Sequence, residues 1–205
     1  MDAAPDFIMA LAFLATWIDP TALGNNMLNY FSLIMLLEFI IIHSAGFMGF
    51  AIFSGKTIFQ KVSRVVGLGL FYSLFVWGFC ASTGETWPMA AFWLLLLNRI
   101  LGGIFEKESE TTFQTVVMVR WAWGVFCYLI SIAFSAMMPI PRFGWNDEIV
   151  QQLGSGGEGL WLEQPHTLLA AGFFYFLLIS IFEMYSRRLT AKFATLNPKI
   201  ALPNN

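Results

Sequence analysis

The sequence predicts an all-α integral membrane protein, a bundle of five to six transmembrane helices, and three observations carry that prediction. Hydrophobic residues make up 58% of the chain and charged residues only 12%, where a soluble domain carries about 25% charge. With a mean hydropathy of +0.68, the chain is too poor in charge to cover a water-facing surface. Apolar stretches recur at the length a bilayer demands, and the lysines and arginines gather on one side of them. This composition argues against a soluble enzyme and a disordered scaffold, and a net charge of −2 offers no basic footprint for nucleic acid. The expected location is the inner (plasma) membrane of a bacterium, as a single multi-pass domain over residues 1–205.

Crossing the hydrocarbon core takes about 20 apolar residues, with a range of about 17–25. The first stretch, 7–18, is too short alone and reaches spanning length only by running through Asp19 and Pro20 to Leu23. Over 7–23 it is either a short span, the reading preferred, or a re-entrant segment. Its acidic leader, Met-Asp-Ala-Ala-Pro-Asp, lacks the positive region of a signal peptide, so the stretch is expected in the mature protein. Five further spans follow at 27–53, 62–81, 89–105, 115–137 and 167–185. Cys80 and Cys127 fall inside these stretches and behave as small hydrophobes rather than as a disulfide framework.

Lys/Arg counting sets the orientation. Lys56, Lys61, Arg64, Lys107, Arg187, Arg188, Lys192 and Lys199 share one side, and Arg142 is alone on the other. Arg99 and Arg120 lie within segments. The C-terminal tail, 186–205, is therefore expected in the cytoplasm and the long 138–166 loop outside. Trp77, Trp87, Trp121, Trp123, Trp145 and Trp161 sit near segment ends or in that loop, as interfacial belts do, although some of the eight tryptophans must serve packing. Within the loop, Asn146 can cap a short interfacial helix near 147–153, with Asp147 and Glu148 in its first turn. Gly154-Ser155-Gly156-Gly157 reads as a flexible link. Gly69/Ser73 and Ser131/Ser135 place small residues four apart, which permits close helix packing. Tyr30-Phe31-x-Leu33-Ile34 recurs as Tyr175-Phe176-x-Leu178-Ile179, but nothing around either copy extends the match.

Ionisable groups inside a bilayer are costly and default to a functional hypothesis. Glu38 lies about 16 Å from the outer end of its helix and about 22 Å from the inner end, too deep to snorkel. Arg99 lies at a similar depth with Asn98 beside it, so the expectation is a buried Glu38/Asn98/Arg99 cluster with a Glu38–Arg99 pair. The pair either fixes helix register or serves as a site for ions, protons or a polar head group. Arg120 and Glu183 sit near the inner interface. Arg120 is within snorkelling reach of Glu106, Glu108 and Glu110, and Glu183 stands four residues before Arg187, the favourable order for a helical ion pair.

His43 is flanked at helical spacing by Phe39, Gly46, Phe47 and Phe50. An imidazole among aromatic and small residues suits contact with a porphyrin-like pigment, a quinone carbonyl or lipid, set against the plainer option of a bond to a neighbouring helix. Bis-histidine haem is disfavoured, because the second histidine, His166, belongs to the outer surface. Glu163-x-x-His166 has di-iron spacing, but a single copy is weak and no metal is expected. No P-loop, paired-histidine protease motif or Gly-x-Ser-Gly is present, so no catalytic residue is assigned. Two functions follow. The first is a non-catalytic accessory or structural subunit of a larger membrane complex, contacting lipid and either other subunits or copies of itself. The alternative is a small oligomeric transporter or channel built on the Glu38/Arg99 cluster.

Overall fold

The computed structural model describes residues 3–55, 57–105, 110–153 and 159–196, and side chains for all of these except 53, 99, 102–105, 110–117 and 187–196. All regular structure among them is helical: α1 (Ala3–Ile18), α2 (Met27–Phe53), α3 (Ile58–Thr83), α4 (Trp87–Phe105), α5 (Glu110–Met137), α6 (Asp147–Leu153), α7 (Leu160–Glu163) and α8 (Pro165–Leu196). Among the described residues four helices, within α2, α3, α5 and α8, are long and apolar enough to cross a membrane, and Ala3–Ile18 and Trp87–Asn98 are shorter apolar helices. The chain is thus a helical protein with the apolar helices of a multi-pass membrane protein.

The first helix departs from expectation. It does not run through Asp19 and Pro20 to Leu23; it stops at Ile18 and extends backwards to Ala3. A residue preceding proline is disfavoured in the α region. Asp19 also turns its carboxylate onto the next turn, where Oδ1 accepts from the backbone N and from Oγ1 of Thr21, each at 2.9 Å. These bonds hold the exposed Asp19 carboxyl below its usual pKa range. Three other ends are capped conventionally. Thr57 caps α3 by accepting from Gln60 N at 3.2 Å. Gly84, at φ 75°, closes α3 with its N–H on Cys80 O, a left-handed turn that suits glycine. The short helix α6 occupies Asp147–Leu153 with Asn146 Oδ1 accepting from Ile149 N at 2.8 Å. The glycine-serine link after it lies outside the described residues.

By internal contacts the chain forms two compact units, residues 25–130 with 153–155, and residues 1–24 with 131–152 and 156–205. In the first, α2, α3 and α4 enclose a core of Leu37, Ile40, Met48, Val65, Tyr72, Val76, Phe92 and Leu96. Gly69 is buried there with Leu96 lying against it, where any Cβ would press on the leucine. This is the close packing its small size predicts.

In the second unit α1 and α8 run antiparallel. Phe13 meets Phe176 at 5.5 Å and Trp17 meets Phe173 at 6.2 Å, while Asp6 lies near enough to Glu183 for their charges to interact. Ala170, Ala171 and Gly172 are buried on α8, and the Phe13 ring occupies the space a Cβ on Gly172 would need. The 138–146 segment is clasped to the end of α1. Trp17 Nε1 donates to Pro141 O at 2.8 Å, Trp145 Nε1 to Thr16 O at 3.0 Å, and Gly144 N to Ile18 O at 3.3 Å. Trp145, expected in an interfacial belt, is only 1% exposed. A long loop leaves backbone carbonyls to satisfy, and an indole N–H reaching one is best placed inside.

Candidate functional site

A candidate site lies in the first unit, where α5 is clipped to α2. Trp121 Nε1 donates to Ile42 O at 2.9 Å, and the buried Tyr128 hydroxyl donates to Met35 O at 2.8 Å. Both donors on α5 and both acceptors on α2 are seven residues apart, so the helices run antiparallel in heptad register with the clips about 10 Å apart along the axis. Both acceptors are helical carbonyls and receive these bonds in addition to their own ladder. Gly46 makes room for the indole: a Cβ there would stand 2.8 Å from Cε2 and Cζ2 of Trp121. In lipid, where burying apolar surface between helices gives little drive, interhelical hydrogen bonds and small residues specify contact. This interface uses both.

Between the clips lies a cavity of about 140 Å³, lined by Phe39, Ile42 and His43 from α2 and by Trp121, Val125, Tyr128 and Leu129 from α5. His43 stands in an aromatic frame. Its ring stacks on Phe39 (5.6 Å, 26°), tilts against Phe47 (5.5 Å) and meets the edge of Tyr72 on α3 (6.1 Å, 70°). The Trp121 and Tyr128 donors are both committed to α2 carbonyls, whereas the imidazole nitrogens have no hydrogen-bond partner among the described residues. Phe39 and Leu129 are 46% and 57% exposed, so the rim is apolar and open.

The aromatic surroundings of His43 were legible from spacing on α2; the walls from α5 were not. Sequence reading assigned Trp121 to an interfacial belt and passed over Tyr128. Trp121 is instead half-buried and bonded to Ile42 O. The seven-residue Trp121–Tyr128 spacing, opposite a glycine on α2, was the available signal.

The other predicted residues are placed as follows. Glu38 is half-buried, with its charge close to the Tyr128 hydroxyl. Asn98 is exposed on α4, and the side chain of Arg99 lies outside the described residues. Arg120 is exposed, and the glutamates expected opposite it, Glu106, Glu108 and Glu110, are outside the described side chains. Glu183 faces Asp6 across the α1/α8 pair, with Oε2 buried and lacking a hydrogen-bond partner; the side chain of Arg187 is again outside the described set. Glu163 Oε1 accepts from Gly159 N at 3.2 Å, which closes the start of α7. His166 is buried, and among the described residues no three His, Cys, Asp or Glu side chains come together to hold a metal.

No protein-family model, no curated protein and no solved structure matches this chain.

Proposed function

We propose that the chain is a non-catalytic, multi-pass inner-membrane protein, an accessory subunit of a larger membrane complex, whose groove between α2 and α5 receives an apolar ligand from the bilayer. The observation that carries this reading is the commitment of every donor in the groove except one. Trp121 and Tyr128 spend their N–H and O–H on α2 carbonyls, leaving His43 as the single polar handle in an otherwise apolar, aromatic lining. Binding sites are mostly apolar with a few placed polar groups, and this groove has that composition. The subunit role draws support from α3, where Leu70, Phe71, Leu74, Phe75 and Trp77 are all exposed as surface for lipid or neighbouring helices. The eight-to-one distribution of Lys and Arg outside the segments supports a cytoplasmic C-terminus and an external 138–166 loop.

The test is purification in mild detergent, with mass spectrometry of both protein and extracted small molecules and an absorption scan. The expected result is a stoichiometric membrane partner and a retained lipophilic compound, the latter lost in Val125→Trp, which fills the groove. A monodisperse chain with no partner and no lipophile would overturn the reading.

A further inference from the structure

We infer that the occupant of this groove is the headgroup of a lipid-soluble quinone, a single six-membered ring bearing carbonyl oxygens, with its tail leaving over Phe39 and Leu129 into the bilayer. The inference rests on the ligand-groove reading above and narrows it. Size comes first. An apolar cavity of about 150 Å³ holds one benzene ring, and this open-rimmed groove is about 140 Å³, room for one ring and for no more than part of a macrocycle. The porphyrin-like pigment admitted by the sequence is therefore the poorer match.

Chemistry comes second. None of the seven lining residues is Lys, Arg, Asp or Glu, so a phosphate or other charged head group would be desolvated there without a counter-charge. A neutral imidazole offers one N–H donor and one nitrogen acceptor. The donor suits a quinone carbonyl and the acceptor suits the hydroxyl of the reduced ring, so His43 can bind either form. Shape comes third. Phe39, Trp121 and Tyr128 give the walls flat aromatic surfaces, and the Phe39 and Tyr128 rings stand 6.0 Å apart at 36° to each other. Aromatic rings favour offset or edge contacts with a further ring, so these walls suit a planar ligand. An acyl chain would fill the same groove but would leave the imidazole facing hydrocarbon.

The experiment uses the full chain in lipid nanodiscs, titrated with decyl-benzoquinone, with decylbenzene and with protoporphyrin, and followed by calorimetry. Four variants accompany wild type: His43→Phe, His43→Gln, Val125→Trp and the distant Trp77→Phe. The expected result is saturable one-to-one binding of decyl-benzoquinone, weaker by about fivefold in His43→Phe, as the loss of one hydrogen bond implies. Binding should be near wild type in His43→Gln, which keeps a donor and an acceptor, and in Trp77→Phe, and absent in Val125→Trp. Decylbenzene should bind more weakly than the quinone, by the same factor as His43→Phe costs. Equal affinity for the two probes, or no effect of His43→Phe, overturns the quinone assignment while the groove reading stands through Val125→Trp. Protoporphyrin binding that Val125→Trp abolishes, without quinone binding, has the same consequence. If no probe binds, or Val125→Trp changes nothing, both readings fall.

Discussion

Replacing Gly46 by alanine should destabilise the protein, although alanine is the better helix former. A Cβ at position 46 would lie 2.8 Å from two carbons of the Trp121 indole and 3.0 Å from Nε1. Carbon pairs rest at about 3.5–4.0 Å, so the indole must withdraw by about 0.7 Å. The Trp121–Ile42 bond, 2.9 Å long, would then stretch to about 3.6 Å and cease to be one. Overpacking costs about 1–3 kcal/mol and the lost bond about 1 kcal/mol, against a helix-propensity gain of about 1 kcal/mol. The balance is a loss of about 1–3 kcal/mol. Gly78 on α3 has open space where a Cβ would go, so Gly78→Ala keeps only the gain and serves as the matched control. Thermal unfolding of both variants in one detergent measures the difference. The coupling is checked by repeating Gly46→Ala in a Trp121→Leu background, where the penalty should vanish. A Gly46→Ala protein that melts with or above Gly78→Ala would refute the clip.

Glu38→Gln, if Glu38 pairs with Arg99 as the sequence proposes, strands a buried arginine and should cost on the order of 3–5 kcal/mol. The double change with Arg99→Gln should recover much of it, and a single mutant as stable as wild type in thermal unfolding would sink the pair. Trp145→Phe removes the Thr16 hydrogen bond from a ring that is 1% exposed and should cost about 1–3 kcal/mol; Trp77→Phe, 65% exposed, should stay within about 0.5 kcal/mol. Because α1 lies antiparallel to α8, both termini should be cytoplasmic. Single cysteines at Ala4 and Ser155, in a background lacking Cys80 and Cys127, should react from the cytoplasmic and external sides respectively, and labelling of Ala4Cys from outside would refute it.

What was legible in the sequence follows the local character of each signal. Helix α2 was read to its observed ends because its apolar run is bounded by Asn25-Asn26 and by Ser54-Gly55, and α6 because a cap is written in four adjacent residues. The end of α1 was misjudged because hydropathy counts Leu23 as apolar and is blind to an aspartate folding back on Thr21. The tryptophans were harder still. An indole is amphipathic, and whether its N–H meets a headgroup or a carbonyl of a helix far along the chain is decided by tertiary contacts. Trp121 and Trp145 both found carbonyls. The aromatic frame of His43 could be anticipated on α2, where neighbours follow from the 3.6-residue period, but the α5 wall required knowing the pairing register of two helices 79 residues apart at the clip.

That register also explains why a groove exists. Trp121 and Tyr128 are large, and each reaches α2 with a ring that ends in a donor. Val125 lies between them on the same face of α5, one turn from either, and its short side chain lines the cavity. Two long side chains hold the helices at the separation their rings need, and the short one midway leaves the space between them unfilled. A larger apolar residue at 125 would fill that space, and cavity filling commonly stabilises a protein by about 0.5–2 kcal/mol. Valine at this position, beside an imidazole with no hydrogen-bond partner among the described residues, leaves that stability unrealised. His43 is itself exposed, so its ring nitrogens are within reach of a ligand that enters this space. The unfilled space and the imidazole beside it are together what the ligand proposed above, one ring with one hydrogen-bonding oxygen, would use.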